Sequence, residues 1–284
     1  MTGESSVQIV ILLPHNVGHK NGATATTAQP DSKDMAESLI IETRSLTKEF
    51  NGFYAVSEVD LRVRRGQIHA LIGPNGAGKT TCFNLLTKFL IPTRGQILYN
   101  GRDITLAKPA EVARLGIVRS FQVSAVFPHL TVLENVRIAL QRTLGTTFHF
   151  WKRESSLAVL NSRAMELLDE VDLGPFAGKI AVELPYGHKR ALEIATTLAM
   201  EPELMLLDEP TQGMGHEDVG KVTALIKRAA AHRTVLMVEH NMNVVSNIAD
   251  KITVMQRGRI IADGSYAEVS KNPQVIEAYM GSAA

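Results

Sequence analysis

The sequence predicts an α/β protein built around a parallel-type sheet, and three observations carry that expectation. Ile68-His69-Ala70-Leu71-Ile72 is a largely apolar run of the kind buried on both faces of a sheet, and glycine follows it at once. Two more such runs come late, Leu204-Met205-Leu206-Leu207 and Thr234-Val235-Leu236-Met237-Val238. Helical text separates the three, which is the pattern of parallel strands with a ligand expected at their carboxyl ends.

Composition agrees with one large folded unit. The 284 residues are 45% hydrophobic and 21% charged, which excludes a disordered, collagen-like or disulfide-scaffold chain. A chain of this length buries roughly three-quarters of the surface its unfolded form exposes. The net charge of +1 supplies no field to draw in nucleic acid, so no nucleic-acid partner is expected. One cysteine, Cys82, excludes an internal disulfide and agrees with a reducing compartment.

Taken in order, residues 1–38 are expected to be a flexible leader. Gly18 to Asp34 is rich in Thr, Ala, Asn and Gly and has little reason to pack. The run Ile9-Val10-Ile11-Leu12-Leu13 ends at Pro14, far short of the about 20 residues that span a bilayer. The folded domain is placed at 39–284, opening with strands at Leu39-Ile40-Ile41 and, in alternation, Val59 to Val63.

Residues of about 123–183 lose the strand pattern and are expected to form an inserted helical subdomain. Thr131-Val132-Leu133-Glu134 has capping-box spacing. Leu157, Leu160, Ala164, Leu167, Leu168 and Val171 recur at helical spacing and form an apolar stripe. The Trp151-Lys152-Arg153 cluster is expected to be a solvated loop.

The chemistry begins after the first buried strand. Gly73-Pro74-Asn75-Gly76-Ala77-Gly78-Lys79-Thr80 fits the P-loop pattern between a strand and a helix, with Thr81 beside it. Its glycines let backbone amides converge on phosphate oxygens at the positive end of the helix that follows. Lys79 would reach the β- and γ-phosphates, and the Thr80 hydroxyl would ligate Mg²⁺. The run 204–207 ends in Asp208-Glu209-Pro210. Asp208 can belong to the Mg²⁺ shell while Glu209 polarises the attacking water.

Together these residues resemble the ATP-binding cassette proteins, the nucleotide-hydrolysing subunits of ABC transporters, over about Leu39 to Gly281. The resemblance implies a RecA-like α/β core with an antiparallel β part, a helical subdomain, and ATP held between two ATPase subunits. By position it assigns adenine stacking to Phe50, Mg²⁺ and water contact to Gln122, and γ-phosphate contact to His240. It also sets Gly187, within Leu184-Pro185-Tyr186-Gly187-His188-Lys189-Arg190, at the signature segment facing the opposite subunit's nucleotide. Pro185 departs from the family's serine, and the signature helix is expected to begin near Lys189. At Gln212-Gly213-Met214-Gly215 the family's frequent final aspartate is also missing.

The signature, Glu239-His240-Asn241-Met242 and the tail from Asn272 to Gly281 resemble the branch serving branched-chain amino-acid importers. On periodicity alone the tail is equally an ordinary amphipathic helix beginning near Pro273. The resemblance implies a peripheral ATPase on the cytoplasmic face of the inner membrane. Its implied partners are transmembrane permease subunits, a second ATPase subunit in a homo- or heterodimer and, indirectly, a solute-binding protein. Relatives handling urea, short amides or lipopolysaccharide share parts of this text. A weakly hydrolysing member of a heterodimer is the alternative that Pro185 raises.

Overall fold

A computed structural model describes residues 39–120, 126–141 and 160–280. The leader, Gln122, Trp151-Lys152-Arg153 and Leu157 lie outside the described residues. In chain order the elements are β1 (Leu39–Phe50), β2 (Phe53–Val59), β3 (Arg62–Arg64), β4 (Ile68–Ile72), α1 (Lys79–Leu86), β5 (Arg94–Tyr99), β6 (Arg102–Asp103), α2 (Pro109–Arg114) and β7 (Ile117–Ser120). Then come α3 (Val132–Leu140), α4 (Asn161–Glu170), α5 (Tyr186–Leu198), β8 (Leu204–Asp208), α6 (His216–Ala229) and β9 (Thr234–Val238). The chain continues through α7 (Met242–Ile248), β10 (Lys251–Gln256), β11 (Arg259–Gly264), α8 (Tyr266–Val269) and α9 (Pro273–Met280).

Two sheets result. The larger runs β11-β10-β4-β9-β8-β7, parallel except for its antiparallel β11 edge. The smaller is antiparallel, β2-β1-β5-β6 with β3 also on β1. Every residue of β4, β8 and β9 is buried, and their side chains divide by parity between two cores, as a sheet covered on both faces requires. Leu71, Leu204, Leu206, Leu236 and Val238 join Phe83, Leu85 and Leu86 of α1 and the inner face of the antiparallel sheet. Ala70, Ile72, Met205, Leu207, Val235 and Met237 pack with residues of α3 to α7. Cys82 is buried on α1, and burial pushes its thiol up to about 12, which makes it an inert filler.

Local chemistry explains several element ends. Thr131 and Glu134 close the capping box at the start of α3, each satisfying an orphan donor of the first turn. Leu160, Ala164, Leu167, Leu168 and Val171 are all buried in the helical-side core. The signature helix α5 begins at Tyr186, three residues before the expected Lys189, with Pro185 as its N-cap at φ −55°. Proline suits that place, because its fixed φ is already helical and its missing N–H has no partner to lose there.

The strand expected over Val59 to Val63 is divided. β2 ends at Val59, and β3 starts at Arg62. Glu58 at φ 53° turns the chain, and Asp60 Oδ1 accepts from the Ser45 amide at 2.6 Å. β1 in turn runs nine residues past the expected Ile41. It absorbs its polar half through register shifts and Ser45 at φ 47°.

Candidate active site

The site stands at the carboxyl ends of β4, β8 and β9, where parallel strands of an α/β sheet leave their crevice. β4 delivers Gly73 to Gly78, with φ of 148° at Gly73, 77° at Gly76 and 99° at Gly78. A Cβ on Gly73 would stand 2.1 Å from the Met255 carbonyl oxygen, and one on Gly78 2.3 Å from that of Ala55. Only glycine fits either place. No side chain caps α1 and its first turn holds no acid, which leaves its N–H end facing the cleft.

Lys79 is buried and donates its ammonium to the carbonyls of Gly73 at 2.7 Å and Pro74 at 3.0 Å. Burial lowers its pKa, while the charges of Glu209 and Asp208 act in the opposite sense. Asn75 to Gly78 of the turn, Lys79, Thr80, Thr81, Glu209 and His240 line one cleft of about 300 Å³, with Phe53 and Ala55 at its side.

The acid pair is placed by neighbouring strands. Asp208 ends β8, opposite Val238 of β9, and its Oδ2 meets Arg119 Nη2 of β7 at 2.5 Å. Its Oδ1 is buried with no hydrogen-bond partner among the described residues. A buried anionic oxygen left this way is costly unless a further donor or cation arrives. Glu209 takes φ 47°, and its amide donates to the Val238 carbonyl at 2.9 Å. That left-handed turn aims Glu209 Oε1 at His240 Nε2, 2.6 Å away. Strained backbone of this kind costs about 1–3 kcal/mol and persists where surroundings over-determine it.

No three or more His, Cys, Asp or Glu side chains cluster as a metal cage among the described residues. Mg²⁺ takes most of its ligands from phosphate and water and needs only one or two from protein. The Asp208 Oδ1 orphan and the exposed Thr80 hydroxyl fit it.

Two other sequence candidates, Phe50 and Gly187, lie elsewhere. Phe50 is not among the residues lining the cleft; Lys48 Nζ sits 5.0 Å over its ring. Gly187 lines a separate groove against Asp218 and Val222. Gln122 is outside the described residues, two positions beyond Ser120, which pairs with Leu207.

Sequence reasoning missed five groups. Phe53, 66% exposed, stands at the cleft and pairs across strands with Phe50. The Asn51-Gly52 turn between two aromatic residues was its signal. Arg119 and Arg190 sit inside motifs that drew attention for other members. Arg190 donates to the Asp208 carbonyl at 3.0 Å and the Pro210 carbonyl at 3.1 Å, and pairs with Glu193. Tyr279 of α9 accepts a hydrogen bond from the Gly73 amide, so the tail braces the glycine-rich turn from behind. Glu239 is the fifth.

A family model described as ABC transporter matches residues 56–212, and one described as branched-chain amino acid ATP-binding cassette transporter matches 259–284. The chain is 40% identical over 251 residues to the high-affinity branched-chain amino acid transport ATP-binding protein BraF of Pseudomonas aeruginosa, covering 86% of this chain and 98% of that one. It is 37% identical over 253 residues to LivG of Salmonella typhimurium, of the same description, with coverage of 86% and 98%. Among solved structures, an ATP-binding cassette of an ABC transporter in its ADP conformation superposes with a TM-score of 0.75 at 31% identity, covering 86% and 99%. A dimeric bacterial ABC transporter cassette gives 0.67 at 25%, covering 79% and 98%.

Proposed function

The chain belongs to the ATP-binding cassette family of ABC transporter ATPases, and on that premise we propose that it powers an importer for branched-chain or similar apolar amino acids. The observation that carries the solute class is the carboxyl-terminal segment from Arg259, matched by a family model described for branched-chain amino acids. The named relatives support the same reading. No helix among the described residues is long and apolar enough to cross a membrane. In this reading, which rests on the family and on the relatives' description as transport ATP-binding proteins, the chain docks on permease subunits as a peripheral ATPase of the cytoplasmic face, paired with a second cassette.

In this reading the triphosphate lies along the glycine-rich turn, cradled by its amides and the α1 N-terminus. Lys79 exchanges its two carbonyl partners for phosphate oxygens. Asp208 Oδ1 and Thr80, with Gln122, would hold Mg²⁺, which supplies charge neutralisation on the phosphates. Glu209 orients the attacking water and takes its proton, and His240 holds the Glu209 carboxylate and then the γ-phosphate. Gly187 serves the nucleotide of the opposite subunit.

Adenine stacking falls to Phe53 in this arrangement. A base on an aromatic face is worth about 1–3 kcal/mol, so Phe53→Ala should weaken binding of a fluorescent ATP analogue by about 5- to 150-fold. Phe50→Ala should change it less; the reverse ranking returns the role to Phe50.

The function itself is tested by assembling the chain with its permease subunits and a solute-binding protein. Leucine, isoleucine or valine should raise ATP turnover. Stimulation by urea or a short amide alone would replace the solute class, and turnover indifferent to every solute would remove the transport role.

A further inference from the structure

We infer that Glu239, a carboxylate on the β9 side of the site, is a positioning residue that ties the Glu209 turn to the His240 turn and so sets the distance between the two. The inference rests on the ATPase reading above and deepens it.

Glu239 follows β9 directly and is 3% exposed. Its Oε1 accepts from the Thr211 amide at 3.0 Å and the Thr211 hydroxyl at 2.5 Å. Its Oε2 accepts from the amides of His240 at 2.8 Å and Asn241 at 3.0 Å. All four donors are neutral, and together they replace the water a carboxylate loses on burial.

The division between the two oxygens is what matters. One oxygen holds only the turn after β8, the segment that begins at Glu209 and folds back through the Gln212 amide to the Glu209 carbonyl at 3.1 Å. The other holds only the turn after β9, whose Asn241 oxygen caps α7. β8 and β9 are already paired as far as Asp208 and Val238; beyond that rung Glu239 bridges their two exits. The 2.6 Å contact between Glu209 and His240 spans the same gap on the cleft side. Misplacing a catalytic pair by about 1 Å can cost on the order of 10²-fold, so a clamp at the root of both turns acts on rate without touching nucleotide.

Glutamine at this position would turn its N–H donors toward one side of the bridge, where at least one backbone amide, itself a donor, loses its acceptor and only the Thr211 hydroxyl can reverse to accept. Glu239→Gln should therefore lower kcat by about 10- to 100-fold and leave the KM for ATP within about threefold. Because Glu239 acts through His240, adding Glu239→Gln to His240→Ala should cost little more than His240→Ala alone.

Hydrogen exchange on the full nucleotide-free chain gives a readout independent of turnover. Peptides over residues 208–213 and 239–243 should both exchange faster in Glu239→Gln, while β4 and α1 keep their protection. Thr211→Val removes a single bond and should loosen the same two segments to a smaller extent, which keeps the test open if Glu239→Gln does not fold. The inference is overturned if both segments retain native protection, if only the segment next to the substitution responds, or if the two substitutions multiply independently in kcat. An unmodified chain that neither binds nor hydrolyses ATP would instead overturn the ATPase reading, and the exchange result would still decide the clamp.

Discussion

Glu209→Gln is expected to leave ATP affinity intact and to lower steady-state phosphate release by about 10²–10⁴, the usual contribution of general acid–base help. The substitution keeps the shape of the side chain and one oxygen toward His240, now 2.6 Å from Glu209 Oε1, so the φ 47° turn at that residue has no reason to relax. What disappears is the charge that, in the proposed mechanism, accepts the proton of the attacking water. Turnover and equilibrium binding of a fluorescent ATP analogue, measured on the same sample, separate the two effects. Full turnover in the variant would take Glu209 out of the chemistry, and a parallel loss of affinity would make it a binding group.

The second large effect is a single added methyl in the glycine-rich turn. Gly78→Ala places a Cβ 2.3 Å from the Ala55 carbonyl oxygen at φ 99°, so the turn must move away from β2 or the domain must absorb the strain. A left-handed non-glycine residue costs about 1–2 kcal/mol and overpacking about 1–3 more. In a protein of this size that lowers Tm by roughly 10 °C. Gly66 supplies the comparison, because it also has positive φ, 70°, but meets nothing within 4 Å. Gly66→Ala should show only the smaller, conformational part. Equal losses in the two variants would mean that the approach of Ala55 contributes nothing.

How much of this was legible in the sequence follows from what each signal measures. β4, β8 and β9 were readable because strands buried on both faces are mostly apolar, His69, Asp208 and Thr234 being their few polar members, and the P-loop because glycines at Gly73 and Gly78 answer to steric limits that no other residue meets. β1 beyond Ile41 and the whole of β2 were not, since a half-exposed strand such as Phe53-Tyr54-Ala55-Val56 carries no stronger pattern than a loop. Asp208 and Glu209 announced themselves by ending an apolar run. Phe53 did not, because its place at the cleft depends on how a hairpin folds over α1, which is a tertiary fact. Glu239 and Arg190 were written inside recognised motifs, yet their partners lie 28 and 18 to 20 residues away, beyond what spacing along one chain can express.

Arg190 carries one more implication. Its guanidinium is fastened to the main-chain oxygens of Asp208 and Pro210 from the first turns of α5, and it is itself steadied by Glu193. The stretch proposed to face a second cassette is thus riveted to the main chain at the turn after β8 in its own subunit. If that helix docks on a second cassette as proposed, a force applied to it would reach the Asp208–Glu209 turn directly through Arg190.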